Sequence, residues 1–367
     1  MRNARARFSL RCGCCGDGNS APAGTGISRR SFLASSAAAT AGVLGASALG
    51  SIAQVRAQTG PAPAERRIID VHHHISPPKY LAETKAEQVP PTINWSAQKS
   101  IEDMDRGGVA TSITSITTPG VWVGDGDQAV RLARECNDYA ARLVQDHPGR
   151  FGMFASLPLP EIDKSLREIE YALDTLKADG IGLLTSFGDK WLGDPAFDPV
   201  MDELNRRKAV VYTHPSTANC CRNLIPSVQP AIVEFGTDTT RAIASLLYRG
   251  RAKKYPDIKF IFSHAGGTMP FLVERFIRLP PKEELPGGSM EAALKSFHYD
   301  IAQSSHPIPL GALVKLVSPA QIVFGTDFPF RTSAEHAKSL VDFGFKPEEL
   351  RAIDRENVAK LLPKYRV

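Results

Sequence analysis

The sequence predicts an α/β chain folded as a (β/α)8 barrel of TIM type, and three observations carry that prediction. Eight short β-branched or apolar runs recur between residues 68 and 326. Segments with helical hydrophobic period separate them. No Gly-rich phosphate loop follows any run, which argues against an open nucleotide-binding sheet. With 43% hydrophobic and 23% charged residues among 367, the collagen-like, coiled-coil and disordered classes are excluded.

The runs are Ile68–His74, Ala110–Ile116, Phe151–Ser156, Gly180–Thr185, Val210–His214, Lys259–His264, Phe297–Ile301 and Gln321–Thr326. Before the third run, Leu132, Cys136, Tyr139 and Leu143 step by four, three and four. After it, Ile162, Leu166, Ile169, Leu173 and Leu176 repeat the pattern, as amphipathic helices do. Eight strands alternating with helices over about 300 residues match a closed barrel better than an open sheet. The barrel is assigned to residues 68–367, with no second domain. Residues 58–67 are read as a linker, and Pro280–Gly288 as a surface loop.

Residues 1–57 differ from the rest. They hold seven arginines, no lysine and a single acid, Asp17, so the chain's formal net charge of +5 is concentrated there. The remainder carries 37 basic and 38 acidic residues, and a nucleic-acid partner is not expected. Arg29-Arg30 precede an Ala- and Gly-rich apolar stretch from Leu33, and Val55-Arg56-Ala57 has the small residues of a cleavage site. The segment resembles a twin-arginine signal peptide. That resemblance implies passage through the twin-arginine export machinery, a periplasmic location and no integral membrane anchor after cleavage. An uncleaved Ala-rich terminus is the plainer alternative. Cys136, Cys220 and Cys221 lie beyond it; their odd number and spacing indicate neither a disulfide framework nor a thiolate zinc site.

The chemical signal stands at strand ends, where barrel enzymes build their sites. The first run closes Asp70-Val71-His72-His73-His74, and alternation sends His72 and His74 to one face and His73 to the other. The fifth ends at His214, the sixth at His264, and the eighth runs into Asp327; each ligand-capable residue precedes a Pro or Gly turn or lies close to one. Single histidines in such places are usually packed or capping residues. Four agreeing strand ends point instead to a metal.

These residues resemble the amidohydrolase superfamily, in its aminocarboxymuconate-semialdehyde decarboxylase-like branch. The opening I-D-x-H-x-H-x-x-P (Ile69 to Pro77), Trp95 nine residues before Met104-Asp105, His264-Ala265-Gly266-Gly267 and the close Gly325-Thr326-Asp327-Phe328-Pro329 carry the likeness. Arg150-Phe151-Gly152 and Leu157-Pro158-Leu159-Pro160 are most similar to 6-methylsalicylate decarboxylase-type members. The resemblance implies one divalent metal ion on His72, His74, His214 and Asp327, with zinc expected and manganese the alternative. Gly182 to Phe187 contain no lysine of the kind that binuclear relatives carbamylate. His264 would hydrogen-bond substrate or water and pass a proton, with Asp327 as the other catalytic residue. Arg275 would bind the substrate carboxylate across a homodimer interface. No arginine lies between Ser76 and Trp95, which favours a small monocarboxylate over a dicarboxylate.

The function implied is non-oxidative decarboxylation of a small hydroxyaryl acid. Trp95, Trp122, Phe187, Trp191 and Phe328 are candidates for a pocket around its ring, Trp95 and Phe328 foremost. The same ligands would also serve a hydrolase of lactones, esters or amides, because zinc lowers the pKa of bound water to about 7. A non-catalytic periplasmic binding protein is the third reading. Asp70 is expected either to orient His72 or to satisfy backbone groups, His298 and His306 to flank the mouth, and His336 to lie on a helix face.

Overall fold

Eight parallel strands close around a single interior: β1 (Ile68–His74), β2 (Val109–Ser115), β3 (Phe151–Ser156), β4 (Gly180–Leu184), β7 (Val210–His214), β8 (Lys259–Phe262), β9 (His298–Asp300) and β10 (Ile322–Val323). A small antiparallel hairpin, β5 (Ser186–Phe187) and β6 (Lys190–Trp191), stands apart after the fourth of them. The computed structural model describes residues 66–84 and 89–366; the expected leader and most of the linker lie outside the described residues.

Helices follow each strand as the periodicity requires. Gly126–Asp146 starts at Asp125, whose carboxylate accepts from Gln128 N–H at 2.7 Å, and it buries Leu132, Cys136 and Leu143. Ala97–Gly107 starts at Ser96 and stops where Gly108 turns left-handed. Two apolar layers result. Ile69, Val71, Ile113, Phe154, Val210, Tyr212, Ile261 and Val323 fill the barrel interior, with Phe154 stacked on Tyr212 at 5.3 Å. Between strands and helices, Val211, Phe260 and Phe262 pack with Leu204, Leu246 and Leu340.

Parallel barrels must join the first strand to the last, and here the join is polar. Val71 N–H donates to Phe324 O (3.0 Å), Asp327 N–H to His72 O (2.8 Å) and His74 N–H to Phe328 O (2.8 Å). The buried Asp70 carboxylate spans the seam, accepting from Thr326 N–H (3.1 Å), Thr326 Oγ1 (2.7 Å) and His72 N–H (2.9 Å). Its Oδ2 also meets His73 Nδ1 at 3.1 Å, while His73 Nε2 pairs with Ser100.

A bulge in β1 explains that choice of partner. The β1–β2 register slips between Asp70 and His73, so Val71 packs in the interior cluster and the next residue, His72, reaches the inner ring Tyr212. Asp70 is thereby turned toward His73; of the two expectations for it, satisfying backbone groups holds, and orienting the His72 ring is corrected. Replacing Asp70 with alanine orphans buried donors on both sides of the seam. We expect about 3–5 kcal/mol of lost stability, read as a shifted urea midpoint.

Candidate metal centre

His72 and His74 leave β1, His214 ends β7, and Asp327 follows β10. All four are buried, and one donor atom from each falls within 4.8 Å of the others. His72 Nε2 and His74 Nε2 are 3.1 Å apart, and Asp327 Oδ1 lies 3.1 and 3.0 Å from them. Donors about 2.1 Å from a common ion, set at right angles, lie about 3 Å from one another, so the cluster has the dimensions of one metal ion. Among the described residues this is the one such cluster.

Each imidazole is aimed by its other nitrogen. His72 Nδ1 pairs with Asp300 Oδ2 at 2.7 Å, and His214 Nδ1 with the Pro215 carbonyl at 2.8 Å. His74 Nδ1 lies 3.3 Å from Ser115 Oγ. With Nδ1 occupied, Nε2 is left to face the ion. Burial opposes charge on all three histidines. For His74 and His214 it lowers the pKa, to well below the ordinary value at His214. At His72, Asp300 and Asp327 outweigh burial and raise it to about 10. Burial likewise opposes ionisation of Asp327, but charged His72 holds its carboxyl well below the usual range. The set of three nitrogens and one oxygen, neutral at two imidazoles, fits a divalent ion of zinc or manganese type.

The two oxygens of Asp327 face different neighbours. Oδ1 sits among the imidazoles, while Oδ2 accepts from Gln303 Nε2 at 2.8 Å and lies 3.6 Å from His264 Nε2. The His264 backbone N–H is fixed to Asp300 Oδ1 at 2.8 Å. Asp300 and Gln303 were not singled out in the sequence. The Tyr299-Asp300 end of the seventh run was the available signal for the first; Gln303 offered none.

A small cavity adjoins His214. Ile116, Val121, Trp122, Leu157, Leu184 and Phe187 form its walls, and Ser115, Ser156 and Tyr212 supply uncharged polar groups. Among the described residues no Asp, Glu, Lys or Arg lines it. Of the expected ring-pocket aromatics, Trp122 and Phe187 take part. Trp95 instead donates to Ser100 Oγ and packs against Tyr139, and Trp191 donates to Asp238. Phe328 stacks on His73 at 4.6 Å. Arg275 is exposed on the helix Met269–Arg278 and has no ion-pair partner among the described residues. His298 is not at the mouth; it begins β9, where burial and Lys259 and Lys360 lower its pKa to about 4. His336 is buried and accepts from Gln303 N–H at 3.2 Å, while His306 caps the helix Pro307–Leu316.

Two measurements follow from the Nδ1 anchors and the raised His72. Asp300→Ala should weaken metal affinity about 10–100-fold in chelator competition, because nothing then fixes the His72 ring. Metal must also displace the His72 proton, so apparent affinity should climb about tenfold per unit from pH 6 to pH 9.

A family model described as Amidohydrolase matches residues 69–364. The decarboxylase yanB of Aspergillus niger is 37% identical over 324 residues, covering 82% of this chain and 88% of its own. The 6-methylsalicylic acid decarboxylase of Penicillium expansum is 35% identical over 317 residues, covering 81% and 96%. A dihydroxybenzoic acid decarboxylase of Polaromonas, solved with manganese and 2-nitroresorcinol, shares the fold. Its TM-score is 0.71 at 20% identity, over 82% of this chain and 98% of that one. The chain belongs to the amidohydrolase family, and it is an enzyme of that family's decarboxylase branch.

Proposed function

We propose that the protein removes carbon dioxide, without oxidation, from a small hydroxyaryl monocarboxylate of the 6-methylsalicylate kind. The observation that carries this substrate class is the uncharged, largely apolar cavity beside the four metal-binding side chains. A second carboxylate would find no cation in its walls, whereas a ring with methyl or hydroxyl substituents matches them. Zinc suits the donor set on softness grounds, and manganese is the alternative to be separated from it by elemental analysis of the purified protein. Bound at His72, His74, His214 and Asp327, the ion would supply Lewis acidity that holds the carboxylate and its ortho oxygen.

The chain's own groups then handle the proton. Asp327 Oδ2 faces Gln303 and His264, which supports the reading that this carboxylate, ionised at rest, takes up a proton and passes it to the ring carbon that bears the substrate carboxylate. His264 Nε2, 3.6 Å from that oxygen and without another hydrogen-bond partner among the described residues, supports a role for this imidazole as the source of that proton. As the new C–H bond forms, the bond to the carboxylate breaks. Its electron pair returns to the ring and carbon dioxide departs. Gln303 holds Oδ2 in position between turnovers.

Arg275 and the exposed Phe271, Leu272, Ile277 and Leu279 around it support a homodimer in which this arginine reaches the partner's site. Export by the twin-arginine route to the periplasm rests on Arg29-Arg30, the apolar stretch from Leu33 and the small residues of Val55 to Ala57. No helix among the described residues is long and apolar enough to cross a membrane.

Hydroxybenzoates and 6-methylsalicylate, assayed beside pyrone lactones and aryl esters, should release carbon dioxide in a chelator-sensitive reaction. Addition of water without gas release would make the enzyme a hydrolase. Asp327→Asn should lower kcat about a thousandfold. Arg275→Ala should raise KM about tenfold with a smaller change in kcat, and a monomeric wild-type protein in sedimentation would remove the cross-subunit role.

A further inference from the structure

The chemistry above uses no thiol, yet two adjacent cysteines stand on the loop that leaves the ligand His214. Cys220 is exposed, Cys221 is buried, and they share the 3-10 turn Asn219–Cys221. Their Sγ atoms are 3.0 Å apart, nearer than two unbonded sulfurs rest comfortably and about 1 Å from bonding distance. Cys136, by contrast, is buried within an apolar helix face, far along the chain from either.

We propose that Cys220 and Cys221 are a reversible oxidation site that closes to a vicinal disulfide under a low-molecular-weight disulfide oxidant. The exposed Cys220 sulfur attacks the oxidant, forming a mixed disulfide and releasing one small thiol. The Cys221 sulfur, already in contact, displaces the second small thiol from Cys220. Two protein thiols thus give up two hydrogens and two electrons, and the oxidant is reduced to two thiols. Consecutive Cα atoms across a trans peptide are about 3.8 Å apart, below the usual 4.4–6.8 Å span of a disulfide. The ring is therefore strained, which makes it readily reduced and suits it to reversible use.

The turn is coupled to the cavity. Cys220 N–H donates to Asp189 Oδ1 at 3.1 Å, on the turn of the β5–β6 hairpin, and Phe187 of that hairpin lines the cavity. Closing the ring reorients the Cys220–Cys221 peptide, which carries this neighbourhood with it.

Trypsin frees both cysteines, and no others, in the peptide Ala209–Arg222. Folded protein is incubated with oxidised glutathione, quenched by alkylation and digested without reductant. Most of this peptide should lose the mass of two hydrogen atoms, regained after dithiothreitol. Cys221→Ser should instead carry glutathione on Cys220. The Cys136 peptide, Glu135–Arg142, reports that the fold stayed intact. Stable glutathionylation of the wild-type peptide, a disulfide between chains, or two alkylated thiols would overturn the proposal.

Discussion

The hydrogen bond between His72 Nδ1 and Asp300 Oδ2 is the constraint on which the rest of the centre depends. Asp300 is wholly buried and accepts from the His72 ring, from His264 N–H and from Ala302 N–H. One carboxylate on a third strand, β9, therefore positions the metal-binding His72 from β1 and His264 after β8. Gly325 gives it room: a Cβ there would stand 2.9 Å from His72 Cβ and 3.0 Å from Asp300 Cβ. The apolar layers matter to function because they hold these three strand ends in register.

Backbone conformation marks the same place. His264, Gln303 and Asp327 all have positive φ, at 54°, 54° and 66°, and their side chains meet around Asp327 Oδ2. None is a glycine, so each conformation carries a cost that the surrounding hydrogen bonds offset. Asp327 N–H is tied to the His72 carbonyl, and Gln303 N–H to His336. The centre is held by its neighbours more than by local preference.

Much of this was legible in the sequence. Hydrophobic runs located all eight barrel strands to within a few residues, because parallel strands buried on both faces read as continuous apolar stretches. The ligands His72, His74, His214 and Asp327 were legible because strand ends are marked by turn residues. Asp70 was given the face of His72 since strict alternation cannot see a bulge, and the slip between Asp70 and His73 reverses which face it shares; its hold on backbone groups was legible. Trp95 and Phe328 were placed in the pocket by residue type, yet the first serves Ser100 and the second covers His73. Asp300 and Gln303 act through partners distant in sequence, so no local pattern announces them.

The uncharged cavity wall has a consequence for turnover. In the proposed reaction the substrate's negative charge finds no cation in these walls and is held outside them, at the metal-binding side chains and at Arg275. Once the carboxylate has left as carbon dioxide, the neutral product has in these walls aliphatic and aromatic side chains, a few hydroxyls and the His214 imidazole. The proposed reaction thereby erases the charge by which its own substrate was held.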